Sequence, residues 1–287
     1  MIHSDIENIL TRAGSDKNKL ETDLQSLEAS QTTTKTVFCV DIYEYSKMSG
    51  AKQFLVPFVI DTVFTNTIQK LSVDESAFFT KSDLAAIQES LIDTGDGFFV
   101  ILADPMKAFV FVCHLAMEIE TLRSRNKAHT LMKIVEDYVF RFSIATGSVF
   151  EYKKRFYGEA IIRCARIIAS DKLNRCLIDK DTFIWFYNNT NGLESIQDAN
   201  FQEVLKTGNT SIDPGGASQL FPNTSMENLA FKTIMASKVG KIEVKKDQLD
   251  IYNMYVQTSM RISASSGPAF PFVTSVGTTN MNGIGTP

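Results

Sequence analysis

Two short stretches of this chain place carboxylates where chemistry is possible. Val37-Phe38-Cys39-Val40-Asp41-Ile42 is an apolar run that meets an acid near its end. Ile92-Asp93-Thr94-Gly95-Asp96-Gly97-Phe98-Phe99-Val100-Ile101 holds an acid between two glycines at the start of another. A carboxylate at the end of a buried strand loses hydration unless something pairs with it. Two of them on neighbouring strands repel unless divalent cations lie between. Carboxylates from two segments, fixed on rigid backbone and open on one side, are what a two-metal site needs. Two ions there would hold a triphosphate, one activating a hydroxyl and the other gripping the phosphates. An in-line displacement also needs a cation on the developing negative charge. Arg166 is the candidate, because guanidinium presents fixed donors and stays charged; Lys245 or Lys246 would take a terminal phosphate. Taken singly, Asp41 reads as a cap or turn acid and Asp96 as a hairpin residue. Their joint occurrence with the later segments carries the metal reading. Asp93 is left out, because its strand position points it away.

The positioning elements follow from pattern. Thr36–Ile42 is β-branched and strand-like. Phe54–Leu71 repeats apolar residues at Phe54, Leu55, Phe58, Val59, Val63 and Phe64 with a helical period. Leu84–Ser90 reads as a linker or short helix. Leu91–Thr94 and Phe98–Leu102 flank Gly95-Asp96-Gly97, whose glycines permit a tight hairpin. Asp104-Pro105 starts a helix that runs to about Arg125. Tyr138–Val149 alternates as a strand, Phe150–Phe156 continues as a basic hairpin through Lys153, Lys154 and Arg155, and Gly158–Asp171 is a helix bearing Arg163 and Arg166. Arg163 falls on another face from Arg166 and reads as solvated or as a contact between copies. Arg175–Ile178 and Lys180–Tyr187 give a short strand and helix; Lys238–Lys245 and Gln248–Val256 a closing hairpin. This order implies an α+β, ferredoxin-like core, an antiparallel-rich sheet with helices packed on one face. Residues 1–34 form a polar arm with a weakly amphipathic helix, 35–256 the main domain with a loop-rich insertion at 188–230, and 257–287 a flexible tail.

The totals limit the function classes. With 287 residues, 44% hydrophobic and 22% charged, the chain is an ordinary globular protein. Its net charge of −4 gives no general reason to bind nucleic acid or anionic membrane. No apolar run spans a bilayer, and the polar first residues lack a signal-peptide core, so a cytoplasmic location is expected. Cys39, Cys113, Cys164 and Cys176 make no CxxC pair and read as buried thiols. His114 reads as structural.

The quoted residues resemble a known family. Val37–Ser49, with Asp41-Ile42 and then Tyr45-Ser46, resembles the first metal motif of class III nucleotidyl cyclases, and Gly95-Asp96-Gly97 their second metal hairpin. Phe142–Val149 is similar to their strand ending in Thr-Gly. Tyr157-Gly158 followed by Ala165-Arg166 is similar to their aromatic-Gly turn and the helix with the transition-state arginine. Lys241–Lys245 with Tyr252 resembles the final hairpin. The resemblance spans roughly Lys35–Val256 and implies cyclisation of a nucleoside triphosphate to a 3′,5′-cyclic monophosphate with release of pyrophosphate. It also implies a head-to-tail homodimer. Asp41, Asp96 and the backbone carbonyl of Ile42 would bind two Mg²⁺ or Mn²⁺ ions on one protomer, and Arg166 would come from the other. Ile92 stands where the family reads a purine with lysine or glutamate, Arg155 where the partner acid stands, and Ile162 at the helix asparagine. Arginine offers only donors, which suits the carbonyls of a pyrimidine, uracil before cytosine. Tyr45 would border the base. The altered pocket resembles the pyrimidine cyclases of bacterial anti-phage (Pycsar) systems, whose product signals to a separate effector. The alternatives are an adenylate or guanylate cyclase, and a catalytically inactive cyclase-like dimer that binds nucleotide or a partner protein.

Overall fold

The computed structural model describes residues 2–13, 16–76, 78–125, 138–170, 175–190, 229–244, 247–260 and 270–276. Two helices, α1 (Ile2–Ala13) and α2 (Lys17–Gln31), lead into β1 (Thr33–Ile42). A 3₁₀ turn at Tyr45–Lys47 precedes α3 (Gly50–Asp74) and α4 (Lys81–Glu89). Then come β2 (Ile92–Asp93), β3 (Gly97–Leu102), α5 (Pro105–Arg125), β4 (Phe140–Tyr152), β5 (Arg155–Tyr157) and α6 (Glu159–Ser170). The remaining described elements are β6 (Cys176–Asp179), α7 (Lys180–Thr190), β7 (Leu229–Val244), β8 (Asp247–Met260) and β9 (Phe270–Ser275). The sheet runs β2-β3-β1-β4-β6-β8-β7, with β5 on β4 and β9 on β8. Among these pairings only β4 with β6 is parallel, so the α+β, antiparallel-rich expectation describes the sheet. Among the described residues, no helix is long and apolar enough to cross a membrane.

β1 and β3 are continuous apolar runs because both faces of the sheet are covered. Phe38, Val40, Ile42, Phe98, Val100 and Leu102 enter the larger core beneath α3, α4, α5 and α7. Val37, Cys39, Phe99 and Ile101 enter a second core. The expectation of helices on one face holds for those four helices, and α6 differs. Its buried stripe Ala160, Cys164, Ile167 and Ile168 packs on the opposite face. Ser143 Oγ donates to the Cys164 carbonyl at 3.0 Å, pinning that helix to β4.

Other expectations change with the packing. In α3 the buried stripe is Val56, Val59, Val63, Phe64, Thr67, Ile68 and Leu71, which leaves Phe54 and Phe58 facing out. Leu84–Ser90 is largely helix α4, held by a reciprocal Thr80–Asp83 capping box. The tail beyond residue 256 is not wholly flexible. β8 continues to Met260, and β9 pairs with it. Val276 is buried, accepts from the Cys176 N–H at 2.8 Å and donates to the Met254 carbonyl at 2.9 Å. These bonds lay the segment end to end with β6 along β8. Of the expected insertion at 188–230, residues 191–228 lie outside the described residues. The cysteines are free, as expected, and three of the four are buried. His114 makes a buried contact with Glu75 at 3.2 Å.

β3 lies tight against β1 because Gly97 has no side chain. A Cβ there would stand 1.9 Å from the Val40 carbonyl oxygen and 2.7 Å from the Asp41 Cα. Gly97→Ala is expected to destabilise the protein by about 2–4 kcal/mol, since backbone must move to relieve the clash. Urea unfolding of the two proteins measures it.

Candidate active site

Asp41 sits near the end of β1, opposite Gly97 of β3 on one side and Arg141 of β4 on the other. The N–H of Ile42 donates to the Asp96 carbonyl at 3.0 Å, so the second acid is tied to the residue beside the first. The turn that presents Asp96 is local chemistry. Gly95 has φ +86°, and its N–H donates to Asp93 Oδ1 at 2.7 Å. Asp93 therefore braces the turn.

Burial is the largest influence on Asp41 and pushes its carboxyl pKa up; Arg141 pulls it down, and Asp96 pushes it up again by like charge. Arg141 is the residue that sequence reasoning missed. Its Nε donates to Asp41 Oδ1 at 2.7 Å and its Nη2 to Oδ2 at 2.5 Å, a two-pronged pair. Its guanidinium also lies 4.9 Å from the centre of the Tyr43 ring. The signal was a charge inside the apolar strand Phe140-Arg141-Phe142, which pairs directly opposite the acid.

Among the described residues, no group of three or more His, Cys, Asp and Glu could hold a metal. A close carboxylate pair fits ions of the Mg²⁺ class, which bind through one or two carboxylates together with substrate phosphates. Asp41, Asp96 and the Ile42 carbonyl fit that description, and Asp41 must exchange its guanidinium partner to serve.

Elsewhere, the β4–β5 hairpin turns through Lys153 and Lys154, both left-handed at φ +50° and +62°. Gly158 follows at φ +145°, where a Cβ would stand 2.2 Å from the Ser148 carbonyl. Tyr157 stacks on Phe150 at 5.5 Å. A cleft of about 790 Å³ opens here, lined by Tyr157, Gly158, Ile161, Ile162, Gln248 and Leu249, among others. Arg166 is exposed one turn beyond Ile162, opposite the stripe that faces the sheet. Arg163 is not the solvated residue expected. It bonds Glu159 at 2.7 Å, Asp179 at 3.0 Å and Asp181, clamping the starts of α6 and α7.

The remaining expected site residues are scattered. Ile92 pairs with Phe99 and packs on the second core. Arg155 is exposed and pairs with Tyr152. Cys39 and Ser143 lie level with Phe99, and from Ser143 to Tyr152 β4 extends about 30 Å at ~3.3 Å per residue. The register does not bring Arg155 beside Ile92. The expected pairing of these two residues around one base is therefore not assembled within the chain, because the short hairpin carries Arg155 outward. Tyr45 packs against the larger core, and its carbonyl accepts from Gln53 Nε2 at 3.1 Å. Lys245 lies outside the described residues.

No protein-family model and no curated protein matches the chain. Among solved structures it is similar to the adenylyl cyclase CyaB from P. aeruginosa, at 15% identity over 83% of this chain and 100% of that one, with a TM-score of 0.39. It is also similar to the catalytic core of a rhodopsin-guanylyl cyclase with converted specificity in complex with ATPαS, at 13% identity, 77% and 97% coverage and a TM-score of 0.44. The guanylyl cyclase Cya2 aligns at 14% identity, 78% and 92% coverage and a TM-score of 0.40. At these identities and scores, the functional reading rests on the residues of the site itself.

The Asp41–Arg141 pair gives a pH test in chelator-treated protein. Asp41 titrates above its ordinary value of 3.8 in the folded state. Its protonated form therefore favours folding at low pH, and that contribution is lost as pH rises through the folded value. Arg141→Ala is expected to cost on the order of 3 kcal/mol at neutral pH and to move the Asp41 midpoint further up. Denaturant unfolding across the acid range and carboxyl NMR read the two effects.

Proposed function

We propose that this chain is a nucleotidyl cyclase that converts a nucleoside triphosphate to its 3′,5′-cyclic monophosphate and pyrophosphate. The single observation that carries the reading is Asp41 near the end of β1 with Asp96 in the turn before β3, tied to it through the Ile42 N–H, and Arg141 opposite Asp41 on β4. Bound at Asp41, Asp96 and the Ile42 carbonyl, Mg²⁺ or Mn²⁺ would make the substrate's 3′-hydroxyl more acidic and neutralise phosphate charge. The 3′-oxygen bonds to the α-phosphorus as its proton passes to solvent water, and the bond from that phosphorus to the pyrophosphate oxygen breaks, the electron pair leaving with pyrophosphate. Arg141, exchanged off Asp41, would then be free to pair with phosphate oxygens. Arg166, facing away from the sheet that carries the acids, serves the site of a second copy, where it meets charge developing at the α-phosphate. Lys245 would hold the terminal phosphate.

The substrate we favour is a pyrimidine triphosphate, UTP before CTP, with the cyclic product acting as a signal to a separate effector in anti-phage defence. Its support is Ile92, which offers a purine neither lysine nor glutamate; the geometry of Arg155 does not add to it. An adenylate or guanylate cyclase is the alternative within the same chemistry. Two observations favour a different class, a non-catalytic cyclase-like dimer. The Asp41–Arg141 pair is already a complete ion pair, and Ile162 supplies no polar group.

Incubation with each of the four ribonucleoside triphosphates and Mn²⁺, followed by product mass, tests the reading. Cyclic UMP is expected, with the rate falling at least about a hundredfold in Asp41→Ala and Asp96→Ala. Undiminished turnover in both variants would end the metal assignment; nucleotide binding without pyrophosphate release would favour the non-catalytic dimer. If Arg166 acts across copies, an equal mixture of Asp41→Ala and Arg166→Ala proteins regains about a quarter of wild-type activity, because half of the random dimers hold one intact site of two.

A further inference from the structure

The contact between Asp41 and Arg141 occupies the carboxylate that a divalent ion would need. Both side chains are mostly buried, Asp41 at 17% exposed and Arg141 at 11%. Arg141 Nε donates to one carboxylate oxygen at 2.7 Å and Nη2 to the other at 2.5 Å. Each oxygen of Asp41 therefore already accepts a charge-assisted bond. The guanidinium also lies over the Tyr43 ring, 4.9 Å from its centre. Tyr43 is itself fixed, its N–H donating to the Val139 carbonyl at 2.8 Å. An exposed ion pair exchanges partners at little cost. A mostly buried one does not, because water poorly replaces the partner that leaves.

The charges at the strand ends decide what can displace it. Asp41 and Asp96 bring two negative charges and Arg141 one positive charge. Burial disfavours the Asp41 carboxylate, the Arg141 bonds oppose that, and the like charge of Asp96 adds to the burden. A divalent ion approaching the intact pair meets one uncommitted acid, Asp96, and a cation beside the other. With the guanidinium gone it meets two acids. A polyphosphate supplies what the ion alone lacks, because its several anionic oxygens suit the planar fork of an arginine better than one carboxylate does.

We propose that Arg141 is an internal competitor for the metal site: it keeps divalent ions off Asp41 until the phosphates of a nucleotide draw the guanidinium away, so that ion and nucleotide load together. The inference rests on the metal assignment of the cyclase reading and adds the order in which the site fills. By linkage, the factor that phosphate adds to the affinity for the ion is the factor that the ion adds to the affinity for phosphate.

The test is Mn²⁺ binding to the nucleotide-free full chain, read from the electron paramagnetic resonance signal of the unbound ion. Arg141→Gln is expected to bind Mn²⁺ at least about tenfold more tightly than the wild type. Adding Asp96→Ala to that variant is expected to remove the increase. Arg141→Lys separates competition from charge alone, since lysine keeps the positive charge but lacks the two-pronged grip. It too is expected to bind Mn²⁺ more tightly than the wild type. If only Arg141→Gln does so, charge alone acts and the competitor is overturned. One measurement needs no variant. Sulfate pairs with guanidinium but binds Mn²⁺ only weakly in water. In the wild type it is expected to raise Mn²⁺ affinity several-fold over chloride at equal ionic strength. No rise with sulfate, or wild-type binding as tight as that of Arg141→Gln, overturns the proposal even if the enzyme turns over nucleotide. Tighter Mn²⁺ binding in both variants, with no cyclic product from any of the four triphosphates in the wild type, upholds the competitor and overturns the cyclase reading instead.

Discussion

The close approach of Gly97 to β1 is the constraint on which the site depends. It lets β3 lie against the Val40–Asp41 backbone with no side chain between, and it brings the Gly95 turn to the level of Ile42. Two carboxylates then share one end of the sheet. The energetic cost of that arrangement is visible in Asp41, whose carboxyl is destabilised by burial and by Asp96. Arg141 offsets it from the neighbouring strand. A charge pair of this kind contributes less to stability than an apolar pair of equal size.

The rest of the molecule separates two surfaces. One end of β1 and β4 holds acids and a guanidinium, while the outer stripe of α6 holds Arg166 and Ile162 away from that sheet. Arg163 fixes the latter surface: its bonds to Glu159, Asp179 and Asp181 tie the start of α6 to the start of α7. Asp179 is fully buried and would be an uncompensated charge without it. The tail strand β9 braces β8 alongside β6. These bonds fix α6 and β8 to the sheet.

Much of the architecture was legible as pattern. Continuous apolar runs gave β1 and β3, Asp104-Pro105 marked the start of α5, and the Lys180–Tyr187 period marked α7. These are local signals, and the local rules were obeyed: Asp104 Oδ1 accepts from the Lys107 N–H at 2.9 Å. Where competing stripes existed, pattern failed. α3 offers two apolar stripes, and only the sheet's position decides that Val56 and Val59 are buried while Phe54 and Phe58 are not. The tail strand was missed because its Ser/Gly/Thr-rich flanks resemble linker, and its pairing partner is distant in sequence.

The amino-acid sequence by itself determined which groups are present: acids at the ends of apolar runs, glycines where the backbone must crowd, a helix with an arginine on its outer stripe. Those follow from residue type and short-range periodicity. The tertiary structure alone decided which groups meet. Register across β3, β1 and β4 set Asp41 between Gly97 and Arg141, the packing of α6 on the sheet brought Arg163 to Asp179 and Asp181, and the length of β4 kept Arg155 away from Ile92. No local rule encodes those outcomes, because charges separated by scores of residues interact only after the sheet has chosen its partners.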